Sequence, residues 1–251
     1  MPDDRTRIEG AARLLRDSVS VIVSTGAGMS KESGIPTFRD APNALWDKFD
    51  PEKLASPEGF LEDPPLVWRW YEERRRMIAR VAPNPGHYAI AALEKHFDRF
   101  VVVTQNIDDL HRKAGSKNVV EMHGNIFRYK CFDMGHPVGE LPSGGDVPPL
   151  CRCGSMIRPD VVWFGEILPR DALEAAFAAI ETCDLMLVVG TSGIVYPVAE
   201  FPALARRAGA KIIEVNPEKT PITRLADEFL KGPAGEVLPV LVQEFGRLRS
   251  S

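Results

Sequence analysis

The hydrophobic positions along the chain switch repeatedly between two periods. Residues 8–16 carry apolar side chains at helical spacing, and the run SVSVIVST that follows is short and apolar. Helical spacing gathers apolar side chains on one face, whereas a compact β-branched run bounded by turn residues predicts a strand buried on both faces. Residues 66–80 return to helical spacing with a strongly charged opposite face, after breaks at Ser56-Pro57 and Asp63-Pro64-Pro65. Residues 87–96 predict another helix, and RFVVVTQN a second buried strand that ends in polar residues. The alternation resumes with helices over 170–181 and 199–208 and strands at DLMLVVG and AKIIEVN. This pattern predicts an α/β fold, a Rossmann-like parallel sheet with helices on both faces. Between residues 130 and 158 the periodicity gives way to Gly, Pro and Cys, with a loop at LPSGGDVPPL. We expect one domain over 1–251. Its large part would comprise about 1–40, 85–128 and 160–251, with a small module of a helical segment, about 41–84, and a ribbon-like segment, about 129–159.

Composition adds limits. With 251 residues, 44% hydrophobic and 26% charged, the chain has the make-up of a soluble globular protein. A net charge of −4 disfavours a nucleic-acid partner, which needs a basic face. No apolar run reaches the roughly 18 residues of a membrane span. The opening MPDDRTRIEG is acidic where a secretion signal is basic and then apolar, so the expected location is cytoplasmic. Four cysteines are too sparse for a disulfide scaffold. A monomer or weak oligomer is expected.

In open parallel sheets, ligands bind beyond the carboxyl ends of the strands. Here those ends read STGAGMS, TQNID, GTSG and EVNPE, all small or polar. Gly26-Ala27-Gly28 is a partial dinucleotide loop, in which missing side chains let backbone N–H groups approach a pyrophosphate; the sixth position is Lys31, not glycine. Singly, each strand end is ordinary turn or cap chemistry. Together they predict a shared nucleotide site.

Six segments make the prediction specific: GAGMSKESGIPTFRD (26–40), TQNIDDLH (104–111), EMHG (121–124), RPDVVWFGE (158–166), GTSGIVYP (190–197) and EVNP (214–217). In this order they resemble the signature motifs of the sirtuin family, NAD-dependent protein-lysine deacylases, and most closely its class III bacterial and archaeal members. The resemblance implies a Rossmann-like domain with a zinc-ribbon and helical module. It implies that Gly26, Ala27, Gly28 and Ser30 hold the NAD phosphates and that Phe38 and Arg39 cover the cofactor. Gln105, Asn106, Ile107 and Asp108 would form the nicotinamide-ribose pocket, with Asn106 also in a catalytic role. Gly190, Thr191, Ser192 and Asn216 would face the adenosine, with Ala234 near the adenine.

His123 in EMHG matches the family's general base. In the implied mechanism, the acyl oxygen of the substrate lysine displaces nicotinamide from the ribose. A base then activates a ribose hydroxyl, and free lysine and O-acyl-ADP-ribose result. Imidazole suits that task, since an unperturbed pKa near 6.5 leaves a neutral fraction at physiological pH. His87, His96, His111 and His136 lack such a motif and are read as structural or surface residues. Val162, Phe164 and Gly165, with the segment 193–196, match strands that clasp a substrate peptide through main-chain hydrogen bonds, although VVWF also reads as a core strand. Acyl-lysine proteins or peptides are the implied partners.

Tyr71 and Arg74 stand three apart and so share a helix face. They match the pair by which class III sirtuins take succinyl, malonyl and glutaryl groups, because a guanidinium can bind a terminal carboxylate bidentately. The plain alternative is a solvated, ion-paired surface. The metal is open. The family's first cysteine pair is broken, with Met134 three residues after Cys131, and the second is a tight Cys151-Arg152-Cys153. Cys131, Cys151 and Cys153 with His136 would make a Cys₃His zinc set, or the module has lost its zinc, and the spacing leans toward loss. Cys183 reads as core. Protein ADP-ribosyl transfer and non-catalytic NAD sensing are the competing functions.

Overall fold

The computed structural model describes residues 4–36, 51–142 and 144–250. Its centre is a parallel sheet of β1 (Ser20–Thr25), β2 (Arg99–Thr104), β3 (Val119–Glu121), β7 (Leu185–Val189), β8 (Lys211–Asn216) and β9 (Glu228–Lys231), in the order β3-β2-β1-β7-β8-β9. A three-stranded antiparallel sheet, ordered β5-β4-β6, is formed by β4 (Gly124–Cys131), β5 (Pro137–Val138) and β6 (Ile157–Val161). In the large sheet the chain runs outward from β1 to β3, returns, and runs outward the other way from β7. The switch point therefore lies between β1 and β7, where such sheets open a crevice.

The period of two along each strand sends side chains to two separate cores. Val21 and Val23 of β1 pack with Val102, Leu187 and Val189 under α1 (Asp4–Arg16), α6 (Pro85–Glu94) and α10 (Ala234–Ser250). Ile22 points the other way, to Val103, Met186, Val188 and Ile212 under α8 (Arg170–Ile180) and α9 (Phe201–Arg207). The fully buried β1 and β7 account for the unbroken apolar runs in the sequence.

Short helices α2 (Gly28–Lys31), α3 (Pro51–Leu54), α4 (Pro57–Glu62) and α7 (Leu110–Lys113) lie in the connections, and the long α5 is Pro64–Ala79. The Asp63-Pro64-Pro65 break is the start of α5. The Asp63 side chain accepts the Leu66 N–H at 3.0 Å, and proline is tolerated in a first turn whose N–H groups have no helical partner. A third core joins Phe60, Val67, Trp70, Tyr71 and Ile78 to Leu110, Ile126, Val161 and Trp163, so helical segment, antiparallel sheet and α7 are packed as one body. β6 ends at Val161, so residues 162–164 are not a strand: Trp163 is buried while Phe164 is 47% exposed. Among the described residues no helix is long and apolar enough to cross a membrane.

Candidate active site

The loops that leave β1 and β7 press directly on each other. A Cβ on Gly28 would stand 2.7 Å from the Gly190 carbonyl oxygen, and one on Gly26 2.9 Å from the Thr191 Cα. Gly190 has φ of 59°, and its own Cβ would meet the Met29 nitrogen at 2.4 Å. The Gly26 and Gly28 N–H groups donate to the Val189 and Gly190 carbonyls at 3.1 and 2.8 Å. These glycines thus serve a backbone approach, as the motif suggests, but the approaching backbone is that of the neighbouring loop.

Onto this floor the loop after β2 is tied by side chains. Asn106 Nδ2 donates to the Gly26 carbonyl and to Ser30 Oγ, both at 3.0 Å, and the Ser30 hydroxyl donates to Asp108 Oδ2 at 2.6 Å. Burial raises the Asp108 pKa, while the Ser30 hydroxyl and the Leu110 N–H oppose the rise. Gln105 Nε2 donates to Thr191 Oγ1 at 3.2 Å, and Asn216 Nδ2 donates to the Thr191 carbonyl at 2.8 Å. Ile107 packs against the third core. The ends of β1, β2, β7 and β8 therefore form one hydrogen-bonded rim. Ser192 is half-buried on it, and Ala234 is buried at the start of α10, where the next residue, Gly235, donates its N–H to Glu32 at 2.6 Å. Phe38 and Arg39 lie outside the described residues.

His123 sits in the tight connection between β3 and β4. Gly124 has φ of 76° there, and a Cβ on it would meet the Asp160 carbonyl oxygen at 2.1 Å, so only glycine makes this corner. His123 Nδ1 lies 3.0 Å from the Gln105 carbonyl oxygen. A carbonyl can only accept, so Nδ1 carries the proton and Nε2 keeps its lone pair: the imidazole is set as a base. Burial lowers its pKa, and the hydrogen bond to Gln105 offsets part of that shift. The His123 carbonyl accepts the Val162 N–H at 2.9 Å, joining this histidine to the 162–165 segment.

That segment is fixed by a pair the motif reading left unassigned. Arg158, 2% exposed, makes a bidentate contact with Glu166, its Nη2 lying 3.0 Å from Oε2, and its guanidinium stacks 3.2 Å from the Trp163 ring centroid. Glu166 also accepts the Trp163 N–H at 2.8 Å. Burial alone would raise its carboxyl, but Arg158 and that amide hold it below its usual pKa. Gly165, with φ of 85°, completes the turn. Trp163 Nε1–H then donates to Tyr71 Oη at 2.9 Å, which leaves the phenol's own proton free to be donated. Burial pushes the Tyr71 phenol up to about 12, against the pull of Arg74. Arg74 leans on Trp70 at 5.0 Å, its Nε is buried without a hydrogen-bond partner, and burial lowers its pKa.

In the ribbon, Cys131, His136, Cys151 and Cys153 bring one ligand atom each within 4.8 Å of all the others. Cys131 and Cys153 sulfurs are 3.5 Å apart, and His136 Nε2 is 3.2 Å from Cys151 Sγ. A tetrahedral zinc with Zn–S bonds near 2.3 Å needs edges of about 3.8 Å, so the set fits the ion. Met134 meets Cys131 Sγ through its backbone N–H at 3.4 Å. The fourth donor is the histidine two residues further on, which the Cys131 N–H holds through the His136 carbonyl at 2.9 Å. Cys183 is buried, and burial pushes its thiol up to about 11. His87 and His111 are buried with one bare ring nitrogen each; His111 closes the TQNIDDLH motif, whereas His87 is marked only as a polar residue inside apolar periodicity.

Comparison with known proteins agrees with this geometry. A model of the Sir2 family matches residues 26–197. "NAD-dependent protein deacylase 2" of Pyrobaculum aerophilum is 52% identical over 237 residues, 94% of this chain and 95% of that protein. A crystal structure of a Sir2 homologue with NAD superimposes with a TM-score of 0.87 at 40% identity, covering 99% of this chain and 95% of that one. A Sir2 variant with a deacetylated p53 peptide and 3′-O-acetyl ADP ribose does so with 0.83 at 35% identity, covering 94% and 98%. With a family match over more than half its length and a relative at this identity, the chain belongs to the Sir2 family.

Proposed function

We propose that this protein removes acyl groups from protein lysines with consumption of NAD, His123 acting as general base. The observation that carries the reading is the His123 imidazole, with Nδ1–H committed to the Gln105 carbonyl and Nε2 left basic, on the same rim as Asn106 and Asp108. NAD, when bound, supplies a ribose carbon that can accept the acyl oxygen and a hydroxyl that can take over the acyl group. Asn106 and Asp108, locked through Ser30, would orient the ribose, and Thr191, Ser192 and Asn216 would receive the adenosine half. Relatives carrying the name deacylase, and neighbours holding NAD or a deacetylated peptide, support this assignment. The peptide would lie between two exposed apolar segments, Phe164 and Ile167 on one side and Ile194, Val195 and Tyr196 on the other.

The acyl group we assign is dicarboxylic, succinyl or its homologues, with acetyl as a second substrate. A buried guanidinium nitrogen without a partner, beside a phenol with a free proton, supports a carboxylate ligand. Zinc in the Cys₃His set would hold the ribbon together and take no part in the chemistry. The test is nicotinamide release with acetyl-, succinyl- and glutaryl-lysine peptides, with His123→Ala and Arg74→Met as variants. Succinyl-dependent nicotinamide release is expected, with the preference shifted toward acetyl in Arg74→Met. In His123→Ala, whose missing base acts only after nicotinamide has left, free lysine and O-acyl-ADP-ribose should no longer form. Release independent of any acyl-lysine, with label transferred to protein, would instead identify an ADP-ribosyltransferase.

A further inference from the structure

Beneath the rim, away from the residues that would meet NAD, lies a chain of buried polar groups with no assigned role. Thr25 and Thr104 are register partners in β1 and β2, and their hydroxyls are 2.8 Å apart. Thr25 Oγ1 also lies 3.0 Å from His111 Nε2. Thr104 Oγ1 accepts the Asn106 N–H at 3.0 Å. That N–H belongs to the same peptide group as the Gln105 carbonyl, which accepts the proton of His123 Nδ1. One peptide plane is thus held at its nitrogen end from inside the protein and at its oxygen end by the base.

The direction of the chain is the one in which the Thr25 hydroxyl donates to Thr104. The Thr25 hydroxyl spends its proton on Thr104, so it must accept from His111, which makes His111 the Nε2–H tautomer with a bare lone pair on Nδ1. His87 Nδ1 accepts the Asn84 N–H at 3.3 Å, so its Nε2 carries the proton, and this proton has no partner. The two rings lie 4.9 Å apart, and their unused nitrogens are of opposite kind, one donor and one acceptor. Hydrogen bonds arranged head to tail polarise one another in a low-dielectric interior.

We infer that His111 is a positioning residue for the base: through the Thr25 and Thr104 hydroxyls it fixes the Gln105–Asn106 peptide plane and thereby holds His123 in its Nδ1–H tautomer. His111 touches neither substrate nor cofactor in this account. The alternative tautomer, with the proton on Nε2, would have no basic nitrogen directed to the site. Restraining the peptide plane selects against it, because a rotated carbonyl would no longer meet Nδ1.

The kinetic part of the test rests on the proposed role of His123, whereas the spectroscopic part does not, so the two can fail separately. Long-range ¹H–¹⁵N correlation on the wild-type protein should report His111 as neutral Nε2–H and His123 as neutral Nδ1–H. In Thr25→Val, which keeps the shape and removes the central hydroxyl, the Nε2–H form of His123 should appear. The kcat for deacylation should fall about tenfold, the factor one ordinary hydrogen bond is worth, with the KM for NAD within about twofold of wild type. Thr25→Ser should restore both. His111 found as Nδ1–H in the wild type overturns the inference without any variant. So does a folded Thr25→Val protein in which His123 remains wholly Nδ1–H. If Thr25→Val does not fold, the same tautomer measurement on Thr25→Ser and Thr104→Ser, which must both keep the wild-type pattern, decides the matter.

Discussion

The two buried imidazoles set how the protein meets acid. His87 is wholly buried and His111 is 2% exposed; burial lowers the first to about 4 and the second, with help from its neighbour's charge, to about 3. In the unfolded chain both titrate near 6.5. Between those values the unfolded state binds more protons, so stability rises with pH across this window. It is complete above about 6.5 and drains away as the pH falls toward the folded values. Each imidazole removes about 1.4 kcal/mol per pH unit below 6.5, or about 2 kcal/mol by pH 5, and the pair about 4 kcal/mol. A domain whose whole stability is roughly 5–15 kcal/mol loses a large share. The assay is denaturant unfolding at pH 7 and pH 5, on the wild type and on His87→Gln/His111→Gln. Carboxylates and the remaining histidines contribute alike to both proteins, so the difference between the two pH dependences isolates the pair. We expect the double variant to lose about 4 kcal/mol less than the wild type over this interval. Equal losses would mean that these rings are not neutral and buried in the folded protein, and the reasoning would be wrong.

Other consequences are sharper in sign than in size. Arg158→Met should cost about 3–5 kcal/mol, since it strands the Glu166 carboxylate, and Arg158→Met/Glu166→Gln should cost less than the sum of the single changes; melting curves give both. Protein purified without chelator should carry one zinc per chain by elemental analysis, and Cys131→Ser should carry none and melt lower; zinc-free wild-type protein after growth in zinc-rich medium would refute the Cys₃His assignment. The acid limb of kcat/KM for acyl-lysine should fall at a pH below 6.5, because burial lowers His123; a limb at or above 6.5 would place the base in a wetter or more acidic setting than the structure has.

What could be read in advance depended on whether a residue's role leaves a periodic or a local signature. The strands of the large sheet are apolar on both faces because helices cover both, and a continuous β-branched run such as VSVIV carries that fact openly. The rim was legible for a related reason: small and polar residues interrupt those runs at the strand ends, and the interruptions coincide with the family motifs. The break at Asp63-Pro64-Pro65 separates two helices, and the second begins two residues before Leu66 because the Asp63 side chain caps it and proline is tolerated in a first turn. VVWF looked like a strand, yet the Arg158–Glu166 clasp, which draws Glu166 back onto the Trp163 amide, bends it into a turn. The place of His136 in the Cys₃His cluster is weakly legible, because a C-x₄-H spacing follows no cysteine-pair rule and depends on the turn between β4 and β5. Least visible were Thr25, Thr104, His87 and His111. Their partnership crosses from one strand to another and into two helices, so no local pattern encodes it. Two threonines closing two apolar runs, and the place of Thr104 and His111 at the two ends of TQNIDDLH, were the signals available.

On the proposed assignment, the third core would separate the choice of acyl group from the handling of the dinucleotide. Residues 107–110 belong to both halves: Asp108 turns inward to Ser30 on the rim, while Ile107 and Leu110 pack with Tyr71 and Trp163. Side chains that would select the acyl group hang on α5 and on the 162–166 turn, which is held chiefly by Arg158 and Glu166 and meets the rim at the His123 carbonyl. On the proposed assignment, a substitution at Tyr71 or Arg74 would alter which acyl group is accepted while the hydrogen bonds of Asn106, Ser30 and Asp108 stay as they are. A substitution at Trp163 cannot be so selective. Its amide, its indole N–H and its ring each serve a different partner, Glu166, Tyr71 and Arg158. Its removal would loosen the surroundings of Tyr71 and, through the Val162 amide on the His123 carbonyl, His123 itself. If Tyr71 and Arg74 meet the acyl group as proposed, specificity would be adjustable at the tips of α5 side chains and rigid at the turn that supports them.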